Sequence, residues 1–395
     1  MYPKIENQTE KLRELCENEL KNKYENSDGL KERLNYELSI INKTNTEFIF
    51  LYLNKAFKDL DVKPYQTMPR GLIGNSLVAY LCNITNIDPV KFNLSEYAVF
   101  GTTNHYKEPD VDINVASSEL RDNLYQKISS YNEVYKIADA MCKNNNGGLY
   151  KFPGGKFLIP QNDAYSKSDY DSIVNEINNN DCHDVKGLYR LDLLLNNQIL
   201  IFNELVNIIG INPESIDINN ANVTEYLNNN DYKDIYKNVP EFDHDLVVEI
   251  SNKVKPKNFD DLVKITSLAH GTNAWKDNAE RLMNNEASNL SEIVSNRDDL
   301  FDILVNHNVS KNEAYEIMED VRKGKGISKC SKYYDYESLL ISGIPEWLID
   351  SCNKIKYLFP RAHAISYTLL AWKLIWFKIH YKKDYDKVIS KYYEK

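Results

Sequence analysis

Two short stretches place acidic side chains inside apolar strands, and they constrain this chain more than any other feature. Residues 109–115 read Pro-Asp-Val-Asp-Ile-Asn-Val. Val111, Ile113 and Val115 alternate with polar residues, the period of a strand. Asp110 and Asp112, two apart, then project from one face. Residues 187–195, Gly-Leu-Tyr-Arg-Leu-Asp-Leu-Leu-Leu, predict a second strand, with Asp192 between Leu191 and Leu193 and on the same face as Arg190. An unpaired carboxylate there is costly, and carboxylates held together repel unless a cation sits between them. Hard oxygen ligands suit Mg²⁺ or Mn²⁺. Three of them on neighbouring strands would make a two-metal site for phosphoryl or nucleotidyl transfer. The plainer alternatives are a solvated edge strand for the first pair and an Asp192–Arg190 ion pair on an open sheet face for the third.

The rest of the chain supplies a frame for these strands. Leu12, Leu15 and Leu20, then Leu30, Leu34, Leu38 and Ile41, recur at helical spacing within residues 9–60. A Pro/Gly-punctuated stretch from Lys63 to Gly74 follows. It ends in Arg70-Gly71-Leu72-Ile73-Gly74-Asn75-Ser76, a glycine-containing loop that opens a helix. Backbone amides at such a helix start suit phosphate oxygens; the plainer alternative is a turn with Asn75 or Ser76 as N-cap. A helix is predicted over 118–141, a loop over Asn144–Gly148, a Gly154-Gly155 turn before a strand at Lys156–Ile159, and a helix over about 197–209. From about residue 245 the pattern is almost wholly helical, broken by Gly271, Gly324/Gly326, Gly343-Ile344-Pro345 and Pro360. The chain thus divides into a strand-containing half, to about residue 210, and a helical half.

Composition narrows the function classes. A length of 395 residues predicts two or three structural units. A net charge of -10 argues against a basic coat without excluding a local basic groove. No apolar run reaches the ~20 residues of a membrane span, and the N-terminus has no apolar core of a secretory signal. The greasiest stretch, Ala364–Ile379, is interrupted by Lys373 and predicts a buried helix. The six cysteines are scattered with no CxxC pair, which predicts reduced thiols in a cytosol. Between Cys352 and Lys383 there are seven Lys/Arg (Lys354, Lys356, Arg361, Lys373, Lys378, Lys382, Lys383) and no acid. Such a run suggests a phosphate track. Tyr357, Phe359, Tyr367, Trp372 and Trp376 are interleaved with it, although Trp372, Trp376 and Phe377 fit a core better. In Arg322-Lys323-Gly324-Lys325-Gly326, three cations line a loop whose glycines would let a phosphate approach.

These segments follow one another in a familiar order. Arg70-Gly71 with Ser76–Tyr80, Pro109–Asn114, Pro153-Gly154-Gly155, Arg190–Leu194, His270-Gly271-Thr272, Val321–Gly326 and Ser351–Ala364 together resemble the C-family bacterial DNA polymerases, the DNA polymerase III alpha subunit, nearest to its PolC branch. The resemblance covers about residues 30–385. It implies an α+β fold: a polymerase-beta-like nucleotidyltransferase palm with a largely helical fingers domain and a thumb reduced or absent. Residues 1–60 would be N-terminal helices packing on the palm, 61–210 the palm with a vestigial thumb near 140–150, and 211–395 the fingers. Asp110, Asp112 and Asp192 would be catalytic and bind two Mg²⁺ ions, with Mn²⁺ able to substitute. Arg70, Gly71, Gly74, Ser76, Lys264, His270, Arg297, Arg322, Lys323, Lys325, Arg361 and His363 would bind nucleotide and phosphate, and Lys354, Lys356, Lys373 and Lys378 the DNA.

The activity implied is template-directed addition of dNTPs to a primer 3′-hydroxyl, in the cytoplasm of a bacterial host and from a phage or mobile element. The partners implied are primer–template DNA, a sliding clamp, single-strand-binding protein or other replisome components, and no membrane. The family's PHP, OB-fold, clamp-binding and proofreading modules are expected to have no counterpart in these residues. Leu72 and Asn75 depart from the family's phosphate loop, and only about 80 residues separate Asp112 from Asp192. Two other readings stand beside polymerisation: a catalytically impaired mimic that binds DNA or the replisome and interferes with host replication, and a template-independent nucleotidyltransferase.

Overall fold

The structure, a computed structural model, describes residues 5–25, 27–131, 135–136, 141–143, 149–151, 156–160, 188–284, 289–327 and 336–393. It is mixed α+β, mostly helical, with a five-stranded and a two-stranded sheet among the described residues. The chain forms two compact units. One comprises Met1–Phe100 and Lys107–Asn203, the other Gly101–Tyr106 and Glu204–Lys395. The six residues Gly101–Tyr106 thus leave the first unit and return to it. Within the second unit His105 Nε2 lies 3.3 Å from Glu316 Oε1.

In the first unit, α1 (Gln8–Lys23), α2 (Lys31–Lys43) and α3 (Glu47–Asp59) bring their apolar stripes together. Leu12, Cys16, Leu20, Leu34, Leu38, Ile41, Phe48, Leu53 and Phe57 share one core with the strands. Next come β1 (Thr67–Pro69), α4 (Leu77–Leu81), α5 (Glu96–Phe100) and β2 (Val111–Val115). The helix α6 (Ser118–Ser129) starts where Ser117 accepts a bond from the Leu120 amide. It stops at Ser129, short of the predicted 141, and the chain passes into β3 (Tyr135–Lys136), β4 (Met141–Lys143) and β5 (Leu149–Lys151). The expected loop at 144–148 and the Gly154-Gly155 turn lie outside the described residues. The strands β6 (Lys156–Pro160) and β7 (Leu188–Leu195) complete a sheet of order β1-β2-β7-β6-β3, while β4 and β5 pair antiparallel by themselves. In the main sheet β2 and β7 run parallel; the other neighbours run antiparallel.

Most of β7 is apolar, with Arg190 and Asp192 as its charged residues. It lies between β2 and β6, and of the plainer alternative the Asp192–Arg190 pair is present, at 3.5 Å. Asp192 is 5% exposed, as buried as Leu194 behind it.

The second unit is helical. The helix α7 (Asn197–Ile209) leads into it, followed by α8 (Ala221–Asn229), α9 (Tyr232–Tyr236), α10 (Asp245–Val254), α11 (Phe259–His270) and α12 (Glu280–Asn284). Then come α13 (Arg297–Asn306), α14 (Lys311–Arg322), α15 (Tyr336–Ile341), α16 (Glu346–Lys354), α17 (Arg361–His380) and α18 (Lys382–Tyr393). The greasy stretch is the middle of α17, buried in this unit's core, and Trp372 is fully buried with its indole N–H donating to Asp217 O at 3.0 Å. No helix among the described residues is long and apolar enough to cross a membrane. Cys16, Cys82 and Cys352 are buried free thiols.

Candidate active site

The parallel register of β2 and β7 sets Asp112 directly opposite Asp192. Both side chains are largely enclosed, 15% and 7% exposed. Antiparallel pairing of Pro69 with Ile113 brings Arg70, the next residue after β1, beside Asp112. Its Nη1 donates to Asp112 Oδ2 at 3.0 Å, and its backbone amide donates to Asp112 O at 2.9 Å. Arg190 reaches two acids, with Nη2 at 3.5 Å from Asp110 Oδ2 and Nε at 3.5 Å from Asp192 Oδ2. Asp110 precedes β2, which starts at Val111, and its side chain is 62% exposed. The expectation of Asp110 and Asp112 on one strand is corrected accordingly: only Asp112 has its backbone in the sheet ladder.

Burial pushes the Asp112 carboxyl up to about 7, against the pull of Arg70, and the charges of Asp192 and Asp110 add to the rise. Its Oδ1 is buried with no hydrogen-bond partner among the described residues. The donor set is carboxylate oxygen throughout, with one oxygen left unsatisfied, and that chemistry fits a hard divalent cation. As it stands, no group of three or more His, Cys, Asp or Glu among the described residues is close enough to hold an ion. Each acid instead has an arginine partner: Arg190 engages Asp110 and Asp192 while Arg70 engages Asp112.

The glycine-containing loop behaves differently from its expectation. Gly74, Asn75 and Ser76 are buried. Ser76 caps α4, accepting from the Ala79 amide at 3.0 Å. The anion at this helix start is the chain's own Glu37, fully buried on α2. It accepts from Ser76 Oγ at 2.9 Å and from the Leu77 and Val78 amides, each at 3.0 Å. Arg33 Nε donates to Glu37 at 3.0 Å, and Arg33 Nη2 donates to Asn75 O at 2.6 Å. Burial pushes the Glu37 carboxyl up, with Arg33 and the two amides opposing. Against the phosphate cradle expected of Gly74 and Ser76, Ser76 Oγ is engaged by this internal carboxylate and Gly74 is buried. Glu37 carried a readable signal, since it falls on the buried stripe of Leu34, Leu38 and Ile41 where a charge must have partners.

In the second unit, several expected residues gather around the extended segment between α16 and α17. Tyr357 bridges to Thr272 and Phe359 to Asn296. Arg297, 7% exposed, donates from Nε to Leu358 O at 3.0 Å. His270 and His363 flank the Phe359 ring at 5.0 and 4.8 Å between centroids. Burial lowers the His270 pKa, yet its bonds to Glu241 at 3.0 Å and to Thr266 O outweigh this and raise it. Arg361 lies 3.9 Å from Asp302. Lys354, the last residue of α16, and Lys356 on this segment are exposed.

The 322–326 loop packs against the same segment, which accounts for its glycines. Gly326 has φ +71°, and a Cβ there would lie 2.5 Å from Asn353 Oδ1; Gly324 has φ +74°, and a Cβ would lie 3.0 Å from Lys356 O. The expected phosphate approach is therefore not what demands these glycines. Arg322 makes a two-pronged pair with Glu319 at 2.6 and 2.7 Å, Lys323 lies 3.3 Å from Glu319, and Lys325 lies 2.7 Å from Asp320.

Three expected cations stand apart from that segment, and each has a structural task. Lys264 Nζ donates to the carbonyls of Ser291 and Ile293 at 3.1 and 3.2 Å. Lys373 lies 3.5 Å from Glu214. Lys378 Nζ donates to the carbonyls of Asp234, Ile235 and Lys237 at 2.7–3.1 Å, closing the end of α9, and burial pushes its pKa down to about 8. Of the four lysines expected to contact DNA, Lys373 and Lys378 thus have partners within this unit, while Lys354 and Lys356 are exposed.

Two family models match this chain. Residues 10–142 match the family model "Bacterial DNA polymerase III alpha NTPase domain", and residues 197–335 match "Bacterial DNA polymerase III alpha subunit finger domain". Among curated relatives, the PolC-type DNA polymerase III of Bacillus subtilis is 26% identical over 96% of this chain and 33% of its own length. That of Caldanaerobacter subterraneus is 24% identical over 90% of this chain and 32% of its own. That of Listeria monocytogenes is 29% identical over 73% of this chain and 20% of its own. The chain spans at most about a third of the length of these relatives.

Proposed function

The chain belongs to the bacterial DNA polymerase III alpha family, and from that premise we propose that it adds dNTPs to a primer 3′-hydroxyl under the direction of a DNA template. The first unit is then a nucleotidyltransferase palm of the polymerase-beta type and the second a fingers domain. The observation that carries this reading is the register pairing of Asp112 with Asp192, with the buried Oδ1 of Asp112 lacking a protein partner among the described residues.

Asp112 and Asp192, joined by Asp110, are the residues to hold divalent cations, Mg²⁺ or Mn²⁺. Bound there, such ions supply the Lewis acidity that acidifies a primer hydroxyl and neutralises a leaving pyrophosphate. The protein's own groups do the rest. Arg70, about a third exposed, transfers its guanidinium from Asp112 to a phosphate oxygen of the nucleotide. Arg190 keeps Asp110 and Asp192 on one side. Lys323, Lys325, Lys354, Lys356 and Arg361, with His270 and His363 beside the Phe359 ring, offer cations and ring faces to nucleotide and template.

Primer extension with Mg²⁺ or Mn²⁺ tests this. Template-ordered products are expected from the wild type, and none from Asp112→Ala with its DNA binding retained. Template-independent tails would redirect the assignment to terminal transfer, and wild-type rates in Asp112→Ala would remove it. The pairing of all three aspartates with Arg70 or Arg190 favours a second reading, a DNA-binding relative without catalysis. DNA binding with no incorporation at any metal concentration would establish it.

A further inference from the structure

Tyr189 has no part in the chemistry above, yet its hydroxyl is spent on the residues either side of Asp110. The side chain is on β7, 1% exposed. The hydroxyl donates to Pro109 O at 2.6 Å and accepts from the Val111 amide at 3.1 Å. Both backbone groups belong to the immediate neighbours of Asp110. Asp110 needs such support more than its partners do. The β2–β7 register begins at Val111 opposite Leu191, so strand pairing does not fix it. Its carboxylate is largely exposed, with Arg190 at 3.5 Å. The Tyr189 ring is itself held edge-on by Phe48 of α3, at 5.9 Å and 86°. A rigid helix, a locked ring and two short bonds thus end on the one acid that lies outside the ladder.

We propose that Tyr189 is a positioning residue for Asp110: by clamping Pro109 and Val111 it keeps the Asp110 carboxylate on the side of Asp112 and Asp192, and so sets the affinity of the site for divalent cations. This rests on the reading of the three aspartates as metal ligands. Supporting groups of this kind alter metal affinity by about 10–100-fold when removed.

The test is Mn²⁺ titration of the full chain, read from the paramagnetic resonance of free Mn²⁺, for wild type, Tyr189→Phe, Asp110→Asn and the double variant. Phenylalanine keeps the ring against Phe48 and removes only the oxygen. Tyr189→Phe is expected to weaken Mn²⁺ binding about tenfold, and to raise the Mg²⁺ concentration for half-maximal primer extension by a similar factor. On the Asp110→Asn background the same change is expected to weaken binding less than twofold, because its target is gone. Equal Mn²⁺ affinity in wild type and Tyr189→Phe overturns the proposal, and so does an undiminished loss in the double variant. A wild type that takes up no Mn²⁺ is a different failure: it removes the metal site itself, and this inference with it. If Tyr189→Phe loses cooperative unfolding, Phe48→Leu decides, since it keeps the hydroxyl but frees the ring; an intermediate loss of affinity supports the clamp, and wild-type affinity overturns it.

Discussion

Arg70 holds Asp112 twice, through its amide to the Asp112 carbonyl and through its guanidinium to the Asp112 carboxylate at 3.0 Å. The pairing follows from one-residue adjacency to β1, so Arg70 lies at the acids whatever else the loop does. If its guanidinium serves the nucleotide during turnover, Arg70→Ala is expected to raise the dNTP KM about tenfold, the ~1.5 kcal/mol of one charge-assisted bond. Arg70→Lys should rescue only part of this, because an ammonium lacks the planar fork. Steady-state single-nucleotide incorporation checks it; an unchanged KM in Arg70→Ala contradicts it.

Glu37 accepts three bonds from the start of α4 and a fourth from Arg33. Removing the carboxylate takes the acceptor from three donors at the start of α4 and from Arg33 Nε at once, although Arg33 keeps its bonds to the carbonyls of Asn75 and Leu94. Glu37→Ala is expected to destabilise the first unit by about 3–5 kcal/mol, read by urea unfolding. A cost below about 1 kcal/mol, the scale of a single neutral hydrogen bond, would mean that water or another acceptor replaces it.

Gly326→Ala separates packing from phosphate binding. The added Cβ meets Asn353 Oδ1, which accepts from the Ile327 amide at 2.7 Å, and the positive φ is strained for alanine. A loss of about 1–3 kcal/mol is expected, with the salt dependence of DNA binding unchanged. Weaker DNA binding at full stability would instead return this glycine to the phosphate track.

The lysines of the basic run should divide by the same test. Lys354→Glu with Lys356→Glu is expected to weaken DNA binding and to lower the slope of log affinity against log salt by about one for each phosphate no longer neutralised. Lys378→Met should cost stability by uncapping α9 while leaving the slope unchanged. Equal slopes for both variants would contradict the division.

Burial first, then the charge of Asp298, pushes the Asp302 carboxyl up to about 7, with Arg361 opposing. Because the folded value lies above that of an unfolded aspartate, near 4, its contribution to stability is complete below about pH 4 and is lost as pH rises through about 7. Asp302 is about a third exposed, so screening reduces the effect to about 1–2 kcal/mol. The stability of wild type relative to Asp302→Asn should therefore fall between about pH 4 and about pH 7. A difference that stays level across that range contradicts the assignment.

Much of the site's frame was legible in the residues. Period-2 alternation located β2 and β7, and the apolar run around Asp192 marked a carboxylate that needed partners. Register was not legible: nothing in Asp110-Val111-Asp112 says that only the second aspartate enters the ladder, since the start of pairing depends on β7. The tasks of Lys264, Lys373 and Lys378 were hidden for a similar reason. A lysine that closes a distant helix end and one that meets a phosphate have the same local neighbours in the chain. The helix predicted over 118–141 stops at Ser129, where the strands β3 and β4 follow it; tertiary pairing decides that boundary, not propensity.

The excursion of Gly101–Tyr106 into the second unit, with His105 meeting Glu316 there, has a consequence for anyone dividing the protein. No single cut frees either half. A fragment ending at residue 203 carries a loop whose counterpart has been discarded, and one starting at 204 lacks a piece of its own fold. Because that loop rejoins the first unit only three residues ahead of Asp110, a graft that exchanges the C-terminal half between relatives must bring residues 101–106 with it.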